Sequence, residues 1–147
     1  MAYHNILVPV DGSETAYAAV DKAVEFAKAF GSKITVVQVL SLDPYIAAEY
    51  ISANQTNDLI ERARTAVLES LNAAKAKFNE HGIEVGAQLL EGQVIHREIM
   101  EAAEKTHADL IIIGSHGRTG FKKFFLGSVA QSLLGESSVP VLVVRQA

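Results

Sequence analysis

Four residues, Leu110-Ile111-Ile112-Ile113, constrain the fold of this chain more than any other stretch. Consecutive aliphatic side chains, three of them β-branched, leave no polar face, so the segment reads as a strand buried on both sides. Strands of that kind belong to parallel sheets covered by helices, and the rest of the sequence supplies companions. Ile6-Leu7-Val8-Pro9-Val10, Ile34-Thr35-Val36-Val37-Gln38-Val39-Leu40 and Val141-Leu142-Val143-Val144 are similar runs, and Glu84 to Leu90 alternates Val85, Ala87 and Leu89. Pro9 is the irregular member, because it removes a ladder donor near the carboxyl end of its strand.

Stripes of helical spacing lie between these runs. Ala16, Ala19, Val20, Ala23, Val24, Ala27 and Phe30 share one face before a stop at Gly31. Leu59, Ala63, Val67, Leu71, Ala74 and Phe78 share another before His81-Gly82, and Ile95, Ile99, Ala102 and Ala103 a third. A short helix is predicted from about Ser128 to Leu134. Residues 41 to 54, which include Pro44, break the rhythm and predict an excursion with a loose turn of helix. Strands alternating with helices predict one α/β domain over residues 1–147, an open parallel sheet with helices on both faces and right-handed crossovers.

Composition narrows the partners. A formal net charge of -4 argues against a general nucleic-acid or anionic-membrane surface, although helix ends and loop amides still bind phosphate in an acidic protein. No stretch approaches the roughly 20 apolar residues of a membrane helix, and no leader pattern precedes Ile6, so a cytoplasmic protein is expected. Cysteine is absent, which removes disulfides, thiolate chemistry and iron–sulfur ligation. His4, His81, His96 and His107 have no His-x-x-x-His or carboxylate-linked spacing, and no protein-built metal centre is expected.

The segment from Gly114 to Ser128 carries the chemistry. It starts at the carboxyl end of a buried strand and ends where a helix begins, a junction whose free amides and partial positive charge suit phosphate. Gly114, Gly117 and Gly127 allow close backbone approach, and Ser128 offers a helix cap and a hydroxyl donor. Glycines also serve ordinary turns, so spacing alone leaves a structural loop equally open. The segment lacks the Gly-Lys-Ser/Thr of a P-loop and the usual dinucleotide fingerprint. His116 either donates to phosphate or lies in solvent between the glycines, and Arg118, Lys122 and Lys123 contribute at least a local positive field. Phe121, Phe124 and Phe125 read as anchors for the segment. Asp11 faces a ligand or caps the following helix, with Glu14 three residues on.

Gly114, two residues, Gly117, nine residues, then Gly127-Ser128 is the pattern of the ATP-binding branch of the universal stress protein (UspA-like) family, which the chain resembles over essentially its whole length. Ile6 to Ser13, Ala108 to Gly114 and Ser138 to Arg145 carry the rest of the likeness. The resemblance implies a Rossmann-like sheet of the adenine nucleotide alpha hydrolase type, in the order 3-2-1-4-5. Strands 1 and 4 are then neighbours where the connections reverse, the place where open sheets bind ligands. It further implies that Gly117, Gly127 and Ser128 hold phosphates and Gly114 shapes the mouth. Pro9, Val10 and Asp11 would border adenine and ribose, with Val39 and Leu40 on the far side and His116 and Arg118 close by.

The function expected on these grounds is ATP-dependent regulation in a stress response. ATP (or ADP or AMP) would bind with Mg²⁺ or Mn²⁺ on its phosphates, order the segment from 114 to 127 and change a surface offered to a downstream protein. No catalytic residue is assigned; a weak ATP hydrolase or nucleotidyl-transfer enzyme and a nucleotide-independent dimeric scaffold are the alternatives. Val141 to Val144, at a sheet edge in this order, is expected to pair with the same strand of a second copy.

Overall fold

The computed structural model describes residues 3–41, 53–115 and 126–145. Five strands form one parallel sheet: β1 (Asn5–Pro9), β2 (Lys33–Leu40), β3 (Gly86–Glu91), β4 (Leu110–Gly114) and β5 (Val141–Val144). Their order is β3-β2-β1-β4-β5, as expected. Four helices connect them: α1 (Glu14–Phe30), α2 (Ala53–Glu80), α3 (Ile95–Lys105) and α4 (Ser128–Glu136). Residues 42–52 and 116–125 lie outside the described residues, and with them most of the predicted excursion, His116, Gly117, Arg118 and Phe121, Phe124 and Phe125.

Alternation along the strands divides the core in two. Ile6, Val8, Val10, Ile34, Val36, Leu110 and Ile112 pack with the apolar stripes of α1 and α2. Leu7, Val37, Ile111 and Ile113 face the other way, onto Ile99, Ala102 and Ala103 of α3 and Leu133 of α4. Central strands covered on both faces have no use for polar residues, which is why β1 and β4 read as unbroken apolar runs. The α1 stripe is buried as expected except Phe30, which is half-buried and stacks edge-on with Tyr3, their ring centroids 5.5 Å apart. Leu59 and Ile95 depart from expectation. Each sits in the first two turns of its helix and is exposed, Leu59 by 48%.

Two boundaries also differ from the sequence reading. The third strand begins at Gly86, and Ala87 is exposed because β3 is an edge strand. Val85, just before the strand, still packs onto the core. The fourth helix runs on to Glu136, two residues past Leu134. Gly31 ends α1 as anticipated, in the left-handed region at φ 68° with its amide bonded to the Ala27 carbonyl.

The sheet is fastened at its amino end. The Asp109 carboxylate, just ahead of β4, accepts from the amides of His4 (2.8 Å) and Asn5 (3.2 Å). The Asp109 amide donates to the Asn5 carbonyl at 2.9 Å, and Asn5 Nδ2 to the His107 carbonyl at 3.2 Å. At the opposite end β1 and β4 part early. Their register covers Ile6↔Leu110 and Leu7↔Ile111, whereas β1 continues against β2 to Pro9↔Val37. Pro9 explains this asymmetry. Successive strand amides point to opposite sides, and the Val10 amide donates to the Val37 carbonyl of β2 at 2.8 Å. The position of the missing Pro9 N–H therefore faces β4, the side on which pairing stops.

Gly114 lets α1 settle against the end of β4. A Cβ at this position would lie 2.7 Å from the Thr15 carbonyl oxygen and 2.9 Å from its carbon, contacts with backbone that cannot swing aside. Gly114→Val should accordingly destabilise the protein by about 1–3 kcal/mol. Gly135→Ala, in α4 with nothing within 4 Å of the added carbon, should stabilise it by up to about 1 kcal/mol. Urea denaturation of the two variants checks both signs.

Candidate functional site

β1 and β4 part at the carboxyl edge of the sheet, and most of the predicted residues that are described lie at that edge. Pro9 ends β1, one residue earlier than the sequence reading, and Val10 and Asp11 follow. Val39 and Leu40 end β2, and Gly114 ends β4. Gly127 and Ser128 open α4 and are tied to β4, because the Gly127 amide donates to the Ser115 carbonyl at 2.7 Å. Ser115 is itself anchored through its amide to the Val144 carbonyl of β5, at 2.8 Å. One chain of backbone bonds thus runs from β5 through the end of β4 to the first residue of the helix.

Local conformations assign the roles. Asp11 does not cap α1. Ser13 does, with extended backbone and its hydroxyl accepting from the Ala16 amide at 3.3 Å. Asp11 Oδ1 accepts instead from the Ser13 amide at 2.9 Å, an Asx turn that places Gly12 at φ 82°. Glu14 becomes the first helical residue and so falls outside a capping-box position. Nor does Ser128 cap α4. Gly127 occupies the cap position, at φ -63° and ψ 158°, and Ser128 is the exposed first residue of the helix. Any residue adopts those angles, so the glycine at 127 is not needed for conformation. What it provides is an unobstructed approach to the first turn.

The chemistry available at α4 is that of a helix amino end. With the Gly127 amide already used and the first intrahelical bond running from Gln131 to the Gly127 carbonyl (3.0 Å), the amides of Ser128, Val129 and Ala130 have no intrahelical acceptor. Together with the Ser128 hydroxyl they offer several donors and a partial positive charge to an anion. The Gln131 side chain fixes the approach from below through a 2.6 Å bond to the Leu126 carbonyl.

At the far side, Val39 lies two residues beyond Val37, where the β1–β2 register ends. Its amide and carbonyl point toward the side that β1 has vacated, whereas Leu40 turns to β3, its carbonyl accepting from the Gly92 amide at 3.2 Å. The Val39 amide and carbonyl have no ladder partner among the described residues, since the β1–β2 register ends at Pro9↔Val37. Two hydroxyl residues went unnoticed in the sequence. Thr15 and Ser115 are buried, Thr15 Oγ1 lying 3.4 Å from Ser13 Oγ. The only available signal was their position within the two loop-to-helix segments.

The universal stress protein family model matches residues 2–145. A universal stress protein of Methanocaldococcus jannaschii is 34% identical over 98% of this chain and 83% of its own length. Among solved structures, a protein of the universal stress protein family from Burkholderia pseudomallei superposes with a TM-score of 0.78 at 28% identity, covering 98% of this chain and 97% of that one. The universal stress protein from Archaeoglobus fulgidus, solved in complex with dAMP, superposes with a TM-score of 0.69 at 26% identity, covering 99% of this chain and all of that one. A family match over nearly every residue, on a sheet of the order that the likeness implied, establishes that this chain belongs to the universal stress protein family.

Proposed function

We propose that this protein binds ATP where β1 and β4 part and acts as a nucleotide-dependent regulator in the cytoplasm. The observation that carries this reading is the join of β4 to α4. Three helix amides without an intrahelical acceptor, an exposed hydroxyl and a glycine whose conformation does not require glycine gather where α4 follows β4, the strand that parts early from β1. The dAMP complex of the A. fulgidus relative supports the adenine assignment. Phosphates sit on the first turn of α4, joined by Gly117 and by His116 and Arg118 nearby in sequence. The base lies on the Val39 edge, with Pro9, Val10 and Asp11 between. Mg²⁺ or Mn²⁺ travels with the phosphates, with the Asp11 carboxylate following β1. Occupancy changes the surface around Ser128 that is offered to a partner protein.

Titration calorimetry of protein freed of copurified nucleotide should give micromolar ATP binding, tightened by Mg²⁺. Gly127→Val should retain the fold, since its angles suit valine, and weaken ATP at least tenfold by blocking the phosphate approach. Absence of heat from ATP with wild-type protein would refute the assignment.

Retention rather than turnover is the role of this site. Asp11 commits one oxygen to the Ser13 amide, and the donors at α4 hold an anion equally well before and after hydrolysis. Steady-state ATP hydrolysis should stay below about 1 s⁻¹, the lower end of ordinary enzyme turnover. A faster rate that one substitution at Asp11 or His116 abolishes would make the protein an enzyme.

The working form is a homodimer joined through β5. This strand pairs with β4 on one side only, and all four of its apolar residues are half-buried. A two-fold partner would complete the ladder and cover them. Light scattering after gel filtration should give twice the mass of one chain, reduced toward one chain by Val143→Asp, with circular dichroism confirming the fold. A wild-type monomer at micromolar concentration would remove this interface.

A further inference from the structure

Leu134 is the apolar residue of α4 that a single chain leaves uncovered. It is 50% exposed, whereas Leu133 beside it is fully buried against the sheet. α4 differs from the other helices in a second respect. Only Glu136 among its residues is charged, and that carboxylate lies 2.9 Å from Nε2 of His96 in α3. α1, α2 and α3 each carry several charges. A lone exposed leucine is ordinary on a protein surface, but a helix flank that has one and no charge suits contact with another protein.

Helix periodicity gives the direction of Leu134. With about 100° between successive residues, Glu136 lies roughly 60° to one side of Leu133 and Leu134 about 100° to the other. The Glu136 side faces α3, which packs toward β2. The Leu134 side therefore faces outward past β5, the strand at the sheet edge. Its height along the sheet follows from the bond between the Gly127 amide and the Ser115 carbonyl. Seven helical residues carry the chain back about 10 Å, as far as roughly three strand residues do. Leu134 is thus level with Ile112 and with Leu142, the partner of Ile112 in β5. The midpoint of β5 lies between Leu142 and Val143.

We infer that α4 completes the two-fold dimer, Leu134 of one copy packing against Leu134 of the partner subunit at the symmetry axis. This rests on the β5 pairing proposed above and adds a second layer to it. A two-fold axis through the middle of an antiparallel β5 pair, perpendicular to the sheet, puts both α4 helices on the same face. With strands about 4.8 Å apart and each helix seated over its own β4 and β5, the helix axes fall about 10 Å from one another, a distance at which helices pack directly. At the axis a residue meets itself, so the position must be self-complementary. Leucine is, whereas a charged group would face its own like charge.

The chain contains no cysteine, so Leu134→Cys introduces a single thiol. Air oxidation with a copper–phenanthroline catalyst should link most of this variant into disulfide dimers, since a bridge needs Cα atoms within about 7 Å. Glu101→Cys, exposed on α3 away from β5, measures random collision and should stay unlinked. Leu134→Asp should raise the dimer dissociation constant in sedimentation equilibrium about tenfold, with circular dichroism unchanged. A wild-type dimer in which Leu134→Cys links no better than Glu101→Cys would overturn the α4 contact while leaving β5 pairing intact. So would a Leu134→Asp dimer as tight as wild type. Wild-type protein that stays monomeric would overturn both.

Discussion

Everything at the carboxyl edge depends on one missing hydrogen-bond donor. Pro9 ends the central strand with no N–H to give toward β4, and the β1–β4 register stops after two residue pairs while β1–β2 continues. The gap falls where the chain reverses its direction of travel across the sheet, because the β1–β2 and β2–β3 connections carry α1 and α2 on one face and the later ones carry α3 and α4 on the other. A site of this kind needs no dedicated domain. It forms where two neighbouring strands send their following helices away from each other, leaving both sets of loops to flank the same space.

Much of this was legible in the sequence because burial on two faces leaves a simple trace. β1, β4 and β5 appear as aliphatic runs, and β5 spans the four residues assigned to it. The order of strands is not written in periodicity and came from likeness to a family. Errors gathered where burial is one-sided or partial. Ala87 alternates as if inward, yet an edge strand has no neighbour to cover it. Leu59 and Ile95 fit their helical stripes, yet both are exposed, each in the early turns of its helix.

The candidate site was legible in its positions more than in its bonds. Pro9, Val10, Asp11, Val39, Leu40 and Gly114 do fall at the carboxyl ends of their strands, and Gly127 and Ser128 at the start of α4. The caps, however, went to Ser13 and Gly127, where Asp11 and Ser128 had equal claim by residue type. Side-chain oxygens one or two positions apart compete for the same helix end, and the winner depends on backbone angles that composition does not reveal.

The Asp109 carboxylate, by gripping two successive amides of the neighbouring strand, makes the sheet resemble a book bound along one edge. The binding lies at the amino end and the pages fan at the carboxyl end, so what holds the leaves together and what is read between them are separate parts. Loops at the open margin can be rewritten for another ligand without loosening the spine. A volume built in this way can also open a little wider or narrower around its contents by turning about that spine, with the stitching undisturbed.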